Sequence, residues 1–246
     1  MQLLLTGVTG AAGLAVYRAA LTDPAITHVT VLTRRPIPEW VVLPPNASSK
    51  TTVIQHNDFM HYSPELTRQL AASDSCIWAL GKSSTGMTES EYTELTHGYV
   101  VAALQALRDG GAGEHRSEHQ PFRFVFISSE QADPSGKSSQ MWARVKGKAE
   151  TGVTTFCRAS PNFKSHILRP GYFFPSSKYA GDRRNQRSFT ARVLDYLMTP
   201  MLTLFAPSLL APIEELGRVA VEVSKGRWPE KELFRNNEMR SFMRQI

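Results

Sequence analysis

Three glycines near the start of the chain have the spacing of a turn that brings backbone close to an anion. In the stretch TGVTGAAG they occur as G-x-x-G-x-x-G, after an apolar run and before a helical pattern. Residues without side chains let backbone N–H groups approach a pyrophosphate, and the N-terminus of the following helix favours its negative charge. The pattern predicts a dinucleotide-binding turn; the alternative is a tight turn without a ligand. The residues predicted to form the site are Thr6, Gly7, Thr9, Gly10, Ala11, Ala12 and Gly13.

Two arginines, Arg34 and Arg35, follow the second apolar run, HVTVLT. An acidic residue at this place would hydrogen-bond the ribose hydroxyls of NAD, whereas a permanently charged guanidinium suits a 2′-phosphate. The pair therefore favours NADP(H) over NAD(H). The alternative is a solvated basic pair at the end of a strand.

Two further strand ends are candidates for cofactor contacts. Asp58 follows the third apolar run, where its carboxylate either accepts a hydrogen bond from an adenine amino group or begins a turn. The fourth run ends in residues that would let a cofactor ribose lie close, namely Ala79, Leu80 and Gly81. The cysteine and histidine spacing of a metal site is absent, so no metal is predicted.

Apolar runs and helical patterns alternate along the chain. Strands are predicted over 3–7, 28–34, 51–58, 75–81, 122–129 and 164–171, and helices over 11–23, 63–71, 88–111 and 139–153. Strict alternation of this kind is typical of a parallel sheet with helices on both faces, a doubly wound α/β (Rossmann) fold. The pattern becomes irregular after Gly171. We therefore expect one domain over 1–246, with a core over about 1–171 and a small C-terminal substrate cap over about 172–246.

Composition narrows the class of protein. The formal charge of +6 suits an anionic cofactor, but the basic residues are dispersed and no RNA-binding aromatic motif occurs, which argues against nucleic acid. The longest apolar region, 193–212, contains Asp195, Pro200 and Pro207, unlike a membrane span. A secretory signal pattern is absent as well, so a cytoplasmic location is the default expectation.

Several motifs occur together in a characteristic order. They are the glycine turn, the arginine pair, ISSEQAD after the fifth strand, WARVKGKAE on the following helix, and LRPGYF after the sixth strand. In these features the chain resembles the short-chain dehydrogenase/reductase (SDR) superfamily, and within it the atypical branch of Tat-interacting-protein-like and NmrA-like NAD(P)-binding proteins. The resemblance covers nearly the whole length. It implies the fold, a nicotinamide cofactor and a small-molecule substrate of unspecified identity.

The resemblance also implies roles for individual residues. Ser129 lies thirteen residues before Trp142, the interval between the catalytic serine and tyrosine of the family. Ser129 would hydrogen-bond a substrate carbonyl, and Lys146 would bind the nicotinamide ribose and raise the local positive potential. Pro170 and Gly171 would lie beside the nicotinamide. The alternatives are a polar residue at a strand end for Ser129 and a solvated helix residue for Lys146.

Trp142 departs from the family, which has a tyrosine at this position. A phenol beside a lysine ammonium can donate a proton, whereas an indole N–H does not titrate and can only wall the pocket, stack or donate a hydrogen bond. In a first interpretation another group is the proton donor of a ketone or enone reduction. Tyr172 is the first candidate for it, followed by Ser129 or a water relayed by Lys146. A second interpretation is an electron-poor alkene or quinone-like acceptor whose anion solvent protonates. A third is loss of hydride transfer.

The segment 176–212 is basic in its first half and apolar in its second half. In the resemblance this region closes over the substrate, which favours an apolar compound. Two alternatives remain: the apolar side chains pack the cap on the core, or they form a helix pair in a homodimer. The side chains concerned are Leu194, Leu197, Met198, Met201 and Phe205.

Three functions follow from these observations, in decreasing order of support. The first is an NADP(H)-dependent oxidoreductase acting on a small apolar carbonyl, enone or quinone-like compound. The second is a non-redox isomerase or cyclase that retains the fold. The third is an NmrA-like redox-sensing protein without catalysis.

Overall fold

The computed structural model describes residues 1–114, 116–187, 192, 195, 204 and 207–243. Within these ranges seven parallel strands form one sheet in the order β3-β2-β1-β4-β5-β6-β7. The order reverses between β1 and β4, and ligands of such sheets bind at the carboxyl ends of the strands beside that reversal. The strands are β1 (Gln2–Thr6), β2 (His28–Thr33), β3 (Thr51–Gln55), β4 (Ser75–Trp78), β5 (Phe122–Ile127), β6 (Phe163–Arg169) and β7 (Leu233–Arg235).

Helices connect the strands and cover the sheet. A π-helical turn (Glu94–Gly98) joins the fourth helix to the fifth, so the single helix predicted over 88–111 contains one widened turn. A short 3₁₀ turn (Pro207–Leu209) precedes the eighth helix. The helices are α1 (Ala11–Thr22), α2 (Ala47–Lys50), α3 (Pro64–Ala71), α4 (Glu89–Thr93), α5 (Tyr99–Asp109), α6 (Met141–Ala159), α7 (Ala180–Gln186), α8 (Ile213–Ser224) and α9 (Asn236–Phe242).

The core lies in two layers, one on each face of the sheet. Successive side chains of a strand point to opposite faces. Leu3 and Leu5 of β1 therefore join one cluster with residues of α1 and α8, whereas Leu4 joins a second cluster with residues of α3, α5 and α6. Helices thus cover both faces, which confirms the predicted doubly wound fold.

Part of the segment expected to be a cap belongs to the central layers. Gly217 of α8 lies so close to α1 that a Cβ atom there would be 2.6 Å from the carbonyl oxygen of Ala15. Strand β7 pairs with β6, and its Phe234 is fully buried. A three-residue strand in a polar tail leaves almost no periodic signal, which is why the sequence predicts six strands. The apolar residues expected to pack the cap, Leu194, Leu197, Met198, Met201 and Phe205, lie outside the described residues.

A buried ion pair joins α1 to α7, and α7 lies in the C-terminal segment that was expected to form the cap. Arg18 donates to both carboxylate oxygens of Asp182, at 2.5 and 3.0 Å. The same guanidinium lies 3.6 Å above the ring of Tyr179 and donates to the carbonyl oxygen of Val42 at 3.0 Å. One arginine therefore holds together α1, the loop that follows β2 and the start of α7.

Candidate active site

The turn between β1 and α1 can be made only with glycine at two positions. Gly7 has φ +75°, in the left-handed region, and a Cβ atom there would overlap the carbonyl oxygen of Ala79. A Cβ atom on Gly13 would overlap the carbonyl oxygen of Gly7. The N–H of Gly10 closes the turn by donating to the Gly7 carbonyl at 2.9 Å. The first turn of α1 is thereby drawn close to the ends of β1 and β4.

The N-terminus of α1 is open to an anion. Gly10 is its N-cap, no side chain caps it, and its first turn contains no acidic residue. The first N–H groups of a helix have no intrahelical acceptor and carry partial positive charge. Thr9 and Gly10 are exposed, whereas Ala11 is half-buried and Ala12 is buried. This tight, uncapped turn fits the pyrophosphate of a dinucleotide, with Thr9, Gly10 and Ala11 on its accessible side.

Thr6 lies below the turn. Its side chain is fully buried, and its hydroxyl oxygen accepts the N–H groups of Ala79 and Leu80, both at 3.2 Å. The threonine therefore joins the carboxyl ends of β1 and β4. Gly81 is exposed, and a Cβ atom there would meet nothing within 4 Å. Thr6 supports the turn, whereas Ala79, Leu80 and Gly81 form its rim.

Arg34 and Arg35 lie at the end of the strand adjacent to the glycine turn. Thr6 pairs with Leu32 in the register of β1 and β2, so the residues after Thr33 come out beside Gly7. Both arginines are exposed, and neither forms an ion pair within the described part of the chain. Two unneutralised guanidinium groups therefore stand on the β2 side of the turn.

Asp58 is engaged in the loop that follows β3. Its carboxylate accepts the N–H of Met60 at 3.0 Å and pairs with Nδ1 of His61 at 2.8 Å. The hydrogen bond from His61 lowers the pKa of this exposed carboxyl. The described contacts are those of a turn residue, the alternative that the sequence leaves open.

A cavity of about 550 Å³ opens where β5 and β6 end. Five residues predicted from the sequence line it together: Ser129, Trp142, Pro170, Gly171 and Tyr172. The other described lining residues were not predicted, and they are Glu130, Gln131, Asp195, Ser208, Leu209, Asn236 and Asn237. A larger groove of about 720 Å³ between α4, α5 and α6 has none of the predicted site residues among its described lining.

Two features of this cavity fit a bound ligand. The Ser129 Oγ atom is buried and has no hydrogen-bond partner in the described part of the chain, which is uncommon for a polar atom that no ligand or water satisfies. The second feature is Gly171, which follows β6: a Cβ atom on this residue would overlap the carbonyl oxygen of Leu209. Glycine at 171 thus allows the 3₁₀ turn to form the far wall of the cavity.

Lys146 lies one helical turn after Trp142 on α6 and is half-buried. Burial lowers the pKa of its ammonium group to about 8, although the nearby carboxylate of Glu150 opposes this shift. The ammonium group makes no hydrogen bond or ion pair with any residue that the structure describes. The lysine is therefore charged at neutral pH and has donors available to a ligand.

The sequence did not single out the ion pair behind Lys146. Arg169, the last residue of β6, donates through Nε to both carboxylate oxygens of Glu150, at 2.9 and 3.2 Å, and through Nη2 to one of them. Both side chains are almost fully buried. The available signal was the four-residue spacing from Lys146 to Glu150 on one helix face, together with an arginine at a buried strand end.

Tyr172 lines the cavity, but its hydroxyl is already engaged. It donates to the carboxylate of Asp195 at 3.2 Å, and the same carboxylate forms an ion pair with Arg187, also at 3.2 Å. Burial raises the pKa of Tyr172, which makes the phenol a weaker acid. A proton donor suited to neutral pH needs the opposite shift.

Comparison with known proteins gives both full-length and partial relatives. The chain is 30% identical over 185 residues to "Protein fmp52, mitochondrial" of Emericella nidulans, covering 74% of this chain and 69% of the relative. It is 24% identical over 230 residues to FMP52 of Candida albicans, covering 92% and 88%. It is 29% identical over 128 residues to leucinostatins biosynthesis cluster protein T of Purpureocillium lilacinum, and spans only 42% of that protein. No family model matches the chain.

Solved structures share the fold over almost the whole length. The complex of Pseudomonas aeruginosa RhlG with NADP superposes with a TM-score of 0.64 at 17% identity, covering 96% of this chain and 94% of that one. The 3-oxoacyl-[acyl-carrier protein] reductase of Brucella melitensis in complex with NAD gives 0.65 at 13% identity, covering 98% and 97%. These two structures hold different nicotinamide cofactors, NADP in the first and NAD in the second.

The prediction of a cytoplasmic location is wrong, because the Fmp52 relatives are named as mitochondrial proteins. That prediction rested on the lack of a secretory signal pattern and of an apolar span. Neither feature identifies a compartment. In the described ranges, none of the helices is both long and apolar enough to cross a bilayer.

The fold, the glycine turn and the sequence relatives lead to one assignment. The parallel sheet with helices on both faces is the fold that the sequence predicts, and the match to the Emericella nidulans protein extends over more than two thirds of both chains. The solved structures, at 17% and 13% identity, show that this architecture is shared. The chain therefore belongs to the Fmp52 family.

Proposed function

We propose that this protein is an NADP(H)-dependent oxidoreductase that transfers hydride to or from a small carbonyl, enone or quinone-like compound. The observation that carries the proposal is the cavity where β5 and β6 end. Ser129 lines the cavity, and its Oγ atom has no hydrogen-bond partner among the described residues. Lys146, whose ammonium group also has no partner among them, lies on α6 one helical turn beyond Trp142 of the cavity wall. The bound cofactor supplies or accepts the hydride. The chain supplies binding, orientation and charge.

The cofactor would lie along the carboxyl edge of the sheet. The open N-terminus of α1 would receive the pyrophosphate, as helix N-termini do in Rossmann folds. Arg34 and Arg35 would hold the 2′-phosphate, because a guanidinium binds phosphate oxygens bidentately. Lys146 would donate to the hydroxyls of the nicotinamide ribose.

The substrate carbonyl would accept a hydrogen bond from Ser129. This bond and the positive charge of Lys146 would stabilise the negative charge that forms on the oxygen as hydride reaches carbon. Trp142 would wall the site or donate a second hydrogen bond, and it cannot supply a proton.

The missing acid favours one type of acceptor. The Tyr172 hydroxyl donates a hydrogen bond to Asp195 and has a raised pKa, so it is a poor replacement for the family tyrosine. Hydride addition to the β-carbon of an enone moves an electron pair onto oxygen and gives an enolate that water can protonate. We therefore propose enones and quinone-like compounds as better substrates than simple ketones.

The test is NADPH oxidation with a panel of ketones, enones and quinones, repeated with NADH. We expect turnover of enones or quinones with NADPH in preference to NADH, and a loss in kcat of about 100-fold in Ser129→Ala, which lacks the hydrogen bond to the developing charge. Ser90→Ala, an exposed serine of α4, is the control. Tight NADPH binding without turnover of any compound would overturn the proposal.

A non-redox isomerase or cyclase is the second candidate, and Trp142 is the observation that favours it. A pocket that positions a carbonyl without a proton donor still suits a rearrangement in which the cofactor is not consumed. Conversion of a substrate without any change in nicotinamide absorbance would support this function. Strict stoichiometry between product and NADP⁺ would eliminate it.

A further inference from the structure

The amide of Asn236 faces a constraint that fixes its orientation. This residue begins α9, lines the 550 Å³ cavity and is only 3% exposed. Its Nδ2 group donates to the carbonyl oxygens of Ser208 at 2.7 Å and Leu210 at 3.1 Å. A flipped amide would place Oδ1 against two carbonyl oxygens, so Oδ1 must be the atom left over.

The Oδ1 atom of Asn236 is buried and has no hydrogen-bond partner among the residues that the structure describes. Ser129 provides the second buried unpartnered oxygen among the described residues that line this cavity. The two atoms differ in chemistry. A hydroxyl donates or accepts, whereas an amide oxygen only accepts. Ser129 therefore has a donor suited to a carbonyl, and Asn236 has a pure acceptor. Both residues line the cavity, and Asn236 also borders a small void between α8 and α9.

The charges around the cavity restrict its ligand further. Its described lining contains two carboxylates, Glu130 and Asp195, and no lysine or arginine. Glu130 is held by Arg235 at 2.8 Å and by the backbone N–H of Asn236 at 3.0 Å. Asp195 is held by Arg187 and Tyr172. The described lining therefore has no unpaired cation for an anionic group on the ligand, whereas a neutral donor can pair with the Oδ1 atom of Asn236.

We infer that the substrate is a neutral compound carrying a hydroxyl or N–H group that donates to Oδ1 of Asn236, on an apolar body whose carbonyl is held by Ser129. This inference rests on the proposed function and narrows its substrate class. Trp142, Pro170 and Leu209 supply the apolar wall for that body. Carboxylic acids and other anionic carbonyl compounds are poor substrates on the same grounds.

Matched probes test the inference. The set is benzalacetone, its three ring-hydroxylated isomers and their methoxy counterparts, which keep the oxygen but lose the donor. We measure kcat/KM with NADPH, and Kd by calorimetry with the NADP⁺-loaded protein. At least one hydroxy isomer should exceed its methoxy counterpart by about tenfold or more in both quantities, since a site built to bond a hydroxyl rejects the analogue without it.

The variant Asn236→Leu should reduce that ratio to about one, because its side chain cannot accept a hydrogen bond. Asn185→Leu makes the same change on an exposed residue of α7 outside the described cavity lining and should keep the wild-type ratio. Should Asn236→Leu fail to fold, Asn236→Ala, which only removes atoms, replaces it. If both fail, the wild-type ratio in Kd decides.

The outcomes separate this inference from the proposed function. A hydroxyl preference in Kd without NADPH oxidation would keep the inference about Asn236 and remove the oxidoreductase. Turnover with hydroxy and methoxy probes equal to within about twofold in every pair would keep the oxidoreductase and overturn the inference. Failure of every probe to bind would overturn the inference as well.

Discussion

Glu150 lies one helical turn beyond Lys146 on α6, and its carboxylate is held in place by a buried ion pair with Arg169 at the end of β6. The carboxylate raises the pKa of Lys146 while burial lowers it to about 8. Burial is thus the main influence on the charge of the lysine expected to bind the cofactor, and a carboxylate that is absent from the described cavity lining opposes it.

Cofactor affinity should fall as the pH rises through about 8, because Lys146 is charged below its pKa and neutral above it. Titrations of NADPH binding from pH about 6.5 to about 9.5 should show Kd rising by about tenfold, the order expected for losing a charge-assisted hydrogen bond. Lys146→Met should bind weakly with a flat pH profile, whereas Lys148→Met, on an exposed neighbour, should keep the wild-type profile. A flat wild-type profile would contradict the role of Lys146.

Glu150→Gln should destabilise the protein by about 3–5 kcal/mol, because it leaves the charge of Arg169 buried without a partner. Urea unfolding at neutral pH measures this change. The same variant should move the pH transition in cofactor affinity to lower pH, since the carboxylate no longer raises the pKa of Lys146. Glu89→Gln removes an exposed ion pair with Arg144 and should cost about 1 kcal/mol or less. Equal costs for the two variants would show that burial of the Glu150 pair has no energetic effect.

Glycine substitutions should separate folding from cofactor binding. Gly13→Ala forces a Cβ atom onto the carbonyl oxygen of Gly7 and should cost about 1–3 kcal/mol, through overpacking. At Gly10 the nearest atom to a Cβ is 3.4 Å away, so Gly10→Ala should lower the free energy of unfolding by less than about 1 kcal/mol. The same variant should weaken NADPH binding at least tenfold, which is about 1.4 kcal/mol of binding free energy, because the added methyl group obstructs the pyrophosphate. Thermal unfolding and NADPH titration give the two readouts. Gly81→Ala, in open space, should leave stability unchanged.

Replacing Arg34 and Arg35 together by alanine should weaken NADPH by about 10- to 100-fold, the range for charge-assisted hydrogen bonds to a 2′-phosphate. NADH, which lacks that phosphate, should change by less than about threefold. Parallel titrations with both cofactors measure the ratio, and Arg68→Ala, an exposed arginine of α3, provides the control. An equal loss for NADH would mean that the pair acts through general charge.

Trp142→Tyr should increase kcat for ketones by about tenfold or more, because it places a titratable phenol one turn before Lys146. Enone reduction, in which solvent protonates the product anion, should change little. Trp142→Phe should bring no gain and distinguishes the phenol from the loss of the indole. Steady-state rates on a ketone and an enone with saturating NADPH make the comparison. An unchanged ketone rate in Trp142→Tyr would show that the missing acid does not limit the reaction.

Local sequence patterns were enough for most of the architecture and for five of the twelve described residues that line the cavity. The glycine turn and the strand of β1 are encoded within a dozen residues, so periodicity and spacing predict both. Strand β7 was not predicted, because three residues are too few to show an alternating pattern, although Phe234 is as buried as any core residue. Asn236 could not be found from sequence, since its significance depends on Ser208 and Leu210 occupying one end of its amide. The turn contacts of Asp58 likewise arise from neighbours that the strand pattern does not specify.

The bond between Arg18 and Asp182 restricts how this protein can be recombined with its relatives. The first helix and the segment over 172–187 meet through one guanidinium that also binds Tyr179 and Val42. A chimera that imports either part alone from a relative without this pair would bury an arginine or an aspartate without its counterpart, at a cost of about 3–5 kcal/mol. Exchange of substrate preference between family members should therefore succeed when both parts are transferred together.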